Sequence, residues 1–383
     1  MTAAAARAPL AIGEPAPWFH ARALSGRDRF SFDTTAGRWI VLFLAGSAGR
    51  PAQRQALAQV AKNRALFDDF GAAFFGVTVD PSDESEGRIA QHLPGIRWFL
   101  DYDRSVSMLY GAAGSGDPAS YAPYWLLLDP MLRVHERAPL GEEERVFAEL
   151  KRRLAAPAPC LGAPVLVVPR VLPPELCKVL IDRYDANGGR PTGAMSEEGG
   201  ITTHKINRDF KRRSDYEIED QALIATLKGH MSRILRPLIA RAFQFEATRV
   251  ERWLVACYDG KEEGMFRPHR DNTTKGTAHR KFACTINLNA EDYDGGDLRF
   301  PEFGAQEYRA PTGGAVVFSC SLLHEARPVT RGRRYAFLPF LYDDEGARVR
   351  EANLAFVDPS LQGYSSGLPV ESREQDPHPN PLP

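Results

Sequence analysis

The sequence predicts two domains of different class: an α/β unit built on a central sheet, then a mainly-β unit with flanking helices. Three observations carry this. Over residues 1–155, continuous apolar runs alternate with stretches at helical spacing, the pattern of strands buried on both faces with helices between them. A short Pro/Ala-rich segment, 156–164, then reads as a semi-rigid linker. From about residue 250, short strand-like segments separated by turn residues follow one another, as in a double-stranded β-helix or jelly roll. At 383 residues the chain is long enough for both units.

In the first unit, Trp39-Ile40-Val41-Leu42-Phe43-Leu44 is the first buried strand. Residues 50–70 are rich in Ala and Gln, with Leu57, Val60, Ala61 and Leu66 at helical spacing. A second strand spans 72–80 and ends at Asp80-Pro81. The third is Tyr124-Trp125-Leu126-Leu127-Leu128-Asp129, and a helix over 142–154 closes the unit. Four pieces resemble the thioredoxin-fold peroxiredoxins: Ile12-Gly13-Glu14-Pro15-Ala16-Pro17-Trp18-Phe19, Gly37-Arg38-Trp39-Ile40-Val41-Leu42-Phe43, Gly76-Val77-Thr78-Val79-Asp80, and Asp101-Tyr102-Asp103 with Leu109-Tyr110-Gly111. That resemblance implies a peroxidatic cysteine just after the first buried strand. Here the turn reads Ala45-Gly46-Ser47-Ala48-Gly49-Arg50-Pro51-Ala52-Gln53, and the first cysteine of the chain is Cys160. Peroxide reduction needs a thiolate, and the Ser47 hydroxyl is a poor nucleophile without an adjacent base. The expectation is a peroxiredoxin-like scaffold without peroxidase activity, serving to dock a protein partner or a second copy of the chain.

The second unit is expected over 165–345. Residues 165–168 form its first strand. Pro173-Pro174 opens a helix running to about 185, stopped by Asn187-Gly188-Gly189. The segment 201–216 is polar and basic, with His204, Lys205, Arg208, Lys211, Arg212 and Arg213. It reads as a solvated loop, or else as a rim that recognises an acidic or peptide substrate. Ile218, Ile224, Leu227, Met231, Ile234, Leu235, Leu238 and Ile239 give helical periodicity, with Pro237 expected to kink or split the helix. Residues 346–383 form an extension whose end, 371–383, lacks core-forming residues and is expected to be disordered.

Within this unit, 266–334 concentrates the chemistry. His269 and Asp271, two positions apart, would share a face of a β-strand. His324 follows the apolar run Ala315-Val316-Val317-Phe318, and Arg334 lies ten positions further on. Two imidazoles and one carboxylate compose the facial triad of a non-heme Fe(II) oxygenase, which leaves coordination positions open. A guanidinium at that offset suits a carboxylate co-substrate. Ala256-Cys257-Tyr258, Thr285-Ile286-Asn287-Leu288-Asn289, Gly295-Gly296-Asp297-Leu298-Arg299-Phe300 and Pro328-Val329-Thr330-Arg331-Gly332 complete the pattern. Over roughly 164–344 it resembles the 2-oxoglutarate and Fe(II)-dependent dioxygenases of the prolyl 4-hydroxylase-like type. The resemblance implies Fe(II) held by His269, Asp271 and His324, and 2-oxoglutarate held by Arg334, with Tyr258 and Asn287 lining its pocket. Asn287 stands where some members carry a Tyr. No catalytic residue beyond the metal site is implied. Because halogenating members lack the carboxylate ligand, Asp271 implies hydroxylation of a substrate C–H bond, with dioxygen consumed, succinate and CO₂ released, and ascorbate as a reductant. A protein or peptide prolyl residue is one substrate class, free amino acids and small metabolites others. Two rival readings are a cupin-type Zn or Mn enzyme that does not use 2-oxoglutarate and a non-catalytic binding protein.

Lys and Arg number 48 against 49 Asp and Glu, a net charge of −1, which gives no bulk electrostatic reason to bind nucleic acid or an anionic membrane. No apolar run approaches a membrane span, and the opening residues do not read as a secretory signal. Five cysteines, an odd number without a CxxC, fit a reducing cytoplasm. Cys257, Cys284 and Cys320 stand in apolar contexts and read as core. His20, His92, His135, His230 and His378 have no partners at useful spacing, whereas His204 and His279 lie near enough to the triad in sequence to touch substrate.

Overall fold

A computed structural model describes residues 8–26, 28–114, 120–157, 161–364 and 368–369. The N-terminal heptapeptide, Cys160 and the 371–383 end therefore lie outside the described residues, as does His378. Two compact units are present: Met1–Gly162 with Pro301–Gln306, and Ala163–Phe300 with Glu307–Pro383.

The first unit is a seven-stranded sheet in the order Phe30–Ser31, His20–Ala23, Ile96–Leu100, Ala72–Thr78, Trp39–Gly46, Tyr124–Leu128, Val134–Pro139. Trp39–Gly46 and Ala72–Thr78 pair in parallel, as do Ala72–Thr78 and Ile96–Leu100; the Tyr124–Leu128 and Val134–Pro139 strands add antiparallel. The three central strands are apolar at nearly every position because both faces are covered. The helix predicted over 50–70 ends early. It spans Pro51–Lys62, with Pro51 in its first turn, and Asn63 breaks it ahead of a 3₁₀ turn at Arg64–Leu66. The closing helix is Glu143–Ala155, and it buries Val146, Phe147 and Leu150 on Val41, Phe43 and Trp125.

The second unit has two main sheets. Ten strands form the larger one; at its centre Phe340–Tyr342, Phe282–Asn287, Arg333–Phe337 and Leu254–Asp259 lie side by side. Five strands form the smaller, in the order Lys211–Arg212, Met265–His269, His324–Ala326, Leu298–Arg299, Glu307–Tyr308. One face of the larger sheet carries Val255, Cys257, Cys284, Ile286, Tyr335 and Phe337 against the helices Pro174–Asn187 and Gln221–His230. Its other face carries Leu254, Ala256 and Tyr258, which meet Ala326 and Val329. This is the jelly-roll arrangement with flanking helices that the alternation predicts.

Three local expectations change. Pro237 does not split its helix. Instead, a π-helical turn at Met231–Leu235 runs directly into Arg236–Phe243, and that local irregularity just ahead of Pro237 accommodates its ring and missing N–H. The basic segment 201–216 is not a solvated loop: Ile201–Lys205 pairs with Ala194–Glu198, Lys211–Arg212 with Met265–His269, and Ser214–Glu217 with Leu254–Asp259. Finally, a helix Asp344–Ala352 crosses the expected boundary at 345, its first turn capped by the Asp343 side chain on Gly346 N at 2.7 Å.

Candidate metal centre

His269 ends one strand of the smaller sheet and His324 begins its neighbour, and the two are directly opposed in register. Their rings stand 4.3 Å apart between centroids. Asp271 is not on the strand, contrary to the two-residue alternation. The chain leaves the strand at His269, and Asp271 N bonds Cys320 O at 3.0 Å, which turns the carboxylate back toward both imidazoles. Asp271 Oδ1 lies 3.6 Å from His269 Nε2, and Oδ2 lies 3.3 Å from His324 Nε2. One donor atom from each residue falls within a 4.8 Å cluster.

The chemistry of the donor set fits a divalent ion. His269 Nδ1 is 2.7 Å from Arg267 O and His324 Nδ1 is 3.0 Å from Leu322 O. A carbonyl accepts only from N–H, so each ring carries its proton on Nδ1 and turns a bare Nε2 toward Asp271. Burial first, and the facing His269 second, push the His324 imidazole down to about 4, so it is neutral at neutral pH. For Asp271 burial opposes ionisation, while His324 and His269, each only when protonated, and Arg280 act the other way and hold the carboxyl below its usual range. Neutral imidazoles and an ionised carboxylate are the ligand forms that metal binding requires.

Arg334 lies on the Arg333–Phe337 strand, directly across from Tyr258. Arg333 faces out and bonds Asp259 Oδ2 at 3.0 Å, whereas Arg334 is 2% exposed. Its guanidinium carbon stands 5.0 Å from the Tyr258 ring centroid, and its Nε and one terminal nitrogen have no hydrogen-bond partner. A buried cation with unmet donors is a ready carboxylate site. Gly296 makes the space: at φ +71° it sits where a Cβ would come 3.1 Å from Arg334 Cδ and 2.8 Å from Val329 Cγ2. Asn287 is buried, with its amide nitrogen given to Ala310 O at 2.7 Å and its carbonyl oxygen unpartnered. An oxygen acceptor repels a carboxylate, so Asn287 can wall such a pocket but not donate into it in this orientation.

Sequence reasoning missed Tyr293 and Arg280. Tyr293 is buried, with Arg309 over its ring at 4.4 Å; burial raises its phenol above the ordinary value, against Arg334 and then Arg309. Arg280 pairs with buried Glu251 through Nε at 3.0 Å and reaches Asp271 O at 3.4 Å. His279 bonds the same Glu251 and is 1% exposed, so it is part of the core and not a substrate contact. His204 accepts from Gly193 N at 2.8 Å.

A jelly roll with this donor set has the ligands that a non-heme Fe(II) site uses, and comparison with known proteins points the same way. Residues 253–342 match the model of the 2OG-Fe(II) oxygenase superfamily, and residues 12–134 match that of the AhpC/TSA family. The chain is thus similar to the 2OG-Fe(II) oxygenase superfamily over one stretch and to the AhpC/TSA family over another, the latter with no cysteine in the turn after its first buried strand. Among curated relatives, a PKHD-type hydroxylase of Synechococcus is 39% identical over 90 residues, 22% of this chain and 39% of its own. One from Burkholderia ambifaria is 28% identical over 214 residues, 54% of this chain and 90% of its own. The chain spans about two fifths of the length of the first of these. Among solved structures, a Pseudomonas putida prolyl-4-hydroxylase is 22% identical with a TM-score of 0.37, covering 47% of this chain and 92% of that one. A thiol peroxidase from Chromobacterium violaceum is 16% identical with a TM-score of 0.32, covering 39% and 92%. No helix among the described residues is long and apolar enough to cross a membrane.

Proposed function

We propose that this protein is an Fe(II)- and 2-oxoglutarate-dependent hydroxylase that oxidises a C–H bond of its substrate, with a protein or peptide prolyl residue as the first class to test. The observation that carries the reading is the pairing of a tautomer-fixed His269–Asp271–His324 donor set with a buried Arg334 whose donors are unmet. In this reading His269, Asp271 and His324 hold Fe(II), and Arg334 holds the far carboxylate of 2-oxoglutarate over the Tyr258 ring. Tyr293 supplies a hydroxyl beside Arg334, and Asn287 closes the wall. When bound, the iron and 2-oxoglutarate supply the oxidant, dioxygen being consumed as 2-oxoglutarate becomes succinate and CO₂. The chain's own part is to orient both imidazoles through their Nδ1 hydrogen bonds, fix the carboxylates, and exclude water from the apolar floor formed by Leu254, Ala256 and Val329. A cupin-type metal site has no use for a buried, unsatisfied arginine, which favours the 2-oxoglutarate reading over that rival.

The N-terminal unit, by the same reading, keeps the peroxiredoxin scaffold for docking and reduces no peroxide. Ser47, the hydroxyl in the turn, donates to Asp80 at 2.7 Å; a carboxylate lowered from its ordinary value by that bond is a weak base. The deciding experiment incubates the full chain with Fe(II), 2-oxoglutarate and fractionated cell extract. Succinate release above the substrate-free rate, with a product heavier by one oxygen, supports the proposal. Turnover that ignores omission of 2-oxoglutarate overturns it.

A further inference from the structure

Lys211, on the short strand Lys211–Arg212, and Arg213, just past its end, both turn toward Phe266. Both are more than nine-tenths buried, at 4% and 8% exposure. Both lie over the ring of Phe266, Lys211 Nζ at 5.1 Å and Arg213 Cζ at 6.0 Å from its centroid. That ring also meets Phe210 edge-on and stacks on the metal-site imidazole, with the Phe266 and His269 centroids 3.5 Å apart. Two buried cations therefore stand one aromatic ring away from the metal centre.

Their donors are not all met. Arg213 pairs with Asp215 at 2.7 Å and donates to the Tyr258 hydroxyl at 3.4 Å, and Arg252 lies 3.5 Å from the same Asp215. Asp215 Oδ2 also accepts from Thr192 at 2.9 Å. Lys211 bonds Gly193 O at 2.6 Å and has no carboxylate within ion-pair distance; Arg213 Nε has no partner. Burial and the neighbouring Arg213 depress the Lys211 ammonium well below its usual value, against Asp215 and, more weakly, Asp271 of the metal site. A buried lysine held toward its neutral form regains its charge beside an anion, and the same anion would meet the unpartnered Arg213 Nε. A structural role alone would be met more stably by apolar side chains of similar volume.

We infer that Lys211 and Arg213 form an anion subsite beside the metal centre, which takes a carboxylate or phosphate on the primary substrate. The inference rests on the hydroxylase reading for calling that molecule a substrate; the subsite itself rests on the buried cations. It makes the substrate acidic, with its anionic group placed near the Phe266 ring that stacks on His269.

The test is equilibrium binding to the full chain under anaerobic conditions with Fe(II) and saturating 2-oxoglutarate, using N-acetyl-glutamate, N-acetyl-O-phosphoserine and N-acetyl-glutamine as probes. The iron-to-2-oxoglutarate charge-transfer absorption, recorded first, checks the hydroxylase reading independently. At least one of the two anions should bind about tenfold more tightly than the amide, the value of one charge-assisted pairing, and the tighter one identifies the group. In Lys211→Met that preference should fall toward unity, and in Lys211→Arg it should persist. The absorption band, unchanged in both variants, shows that the site still folds. Absence of binding by either anion up to about 10 mM, equal binding of anion and amide, or a preference that survives in Lys211→Met overturns the subsite. Anion preference without the band removes the hydroxylase reading and leaves the subsite standing.

Discussion

Replacing Arg334 with Met should split stability and co-substrate affinity in opposite directions. In the protein without 2-oxoglutarate, Arg334 is a buried cation with two unmet nitrogens. Its one favourable contact of note, the face of Tyr258 at 5.0 Å, is worth about 1–2 kcal/mol. Removing an uncompensated buried charge returns an amount of the same order. The melting temperature of the ligand-free variant should therefore stay within a few degrees of the parent, at about 2–4 °C per kcal/mol for a domain of this size. With the co-substrate the balance changes. Deleting one partner of a buried charge pair costs about 2–5 kcal/mol, or roughly 30- to several-thousand-fold in affinity. At a 2-oxoglutarate concentration one hundred times its Kd, the parent gains about 2.7 kcal/mol, and a variant weakened 30-fold gains less than about 1 kcal/mol. Thermal melts with and without 2-oxoglutarate, alongside the 2-oxoglutarate dependence of succinate release, read both effects. Arg333→Ala and Arg331→Ala are the controls, since each side chain is exposed and paired outward, with Asp259 and Asp294. A large loss of co-substrate affinity in Arg333→Ala with none in Arg334→Met refutes the assignment. So does a ligand-free Arg334→Met that melts far lower, because Arg334 would then already be neutralised within the fold.

His269→Ala, Asp271→Ala and His324→Ala should each abolish succinate release and weaken Fe(II) binding severely, because a three-ligand site has no spare donor; full activity in any one removes that residue from the ligand set. Hydrogen peroxide with a thiol reductant should be turned over no faster than in buffer, and robust turnover after mutation of all five cysteines would return attention to Ser47. Asp215 gives a pH dependence. Burial raises its carboxyl, but Arg213 and then Lys211 outweigh this and hold it at about 2, below the ordinary 3.8. A depressed carboxylate stabilises the fold above the unfolded value, and that contribution disappears as pH falls from 3.8 toward about 2. Acid unfolding followed by circular dichroism should thus steepen below pH 4, and Asp215→Asn should flatten that limb while lowering stability at neutral pH.

What could be read from the chain depended on whether one residue type carried its own spacing. The strands Trp39–Gly46 and Ala72–Thr78 were legible because burial on both faces leaves an unbroken apolar run. Alternation along a strand admits only one of Arg333 and Arg334 to the interior, and it was the offset from His324 in the resembled family that selected Arg334. Asp271 belonged to the pattern, but its geometry did not follow from it: the strand stops at His269, and a backbone bond to Cys320 aims the carboxylate. Tyr293 was invisible because a single aromatic ahead of a Gly-Gly turn has no period, and its meaning comes from Arg334 across the fold. Lys211, Arg213 and Asp215 were hidden for a different reason. Basic residues in a polar stretch ordinarily solvate, and only the pairing of that stretch with Met265–His269 and Leu254–Asp259 takes them inside.

The two carbonyls that fix the imidazole protons have a consequence for metal supply. Because Arg267 O and Leu322 O commit both rings before any ion arrives, the pocket offers two nitrogens and a carboxylate to every divalent ion alike. For such donors, affinity rises from Mn²⁺ and Fe²⁺ through Co²⁺ and Ni²⁺ to Cu²⁺, with Zn²⁺ also above Fe²⁺. Iron is therefore among the weaker competitors for its own site. The identity of the resident ion is decided by which metal the cell keeps free, and protein purified without added Fe(II) should carry whatever tighter-binding ion it met first.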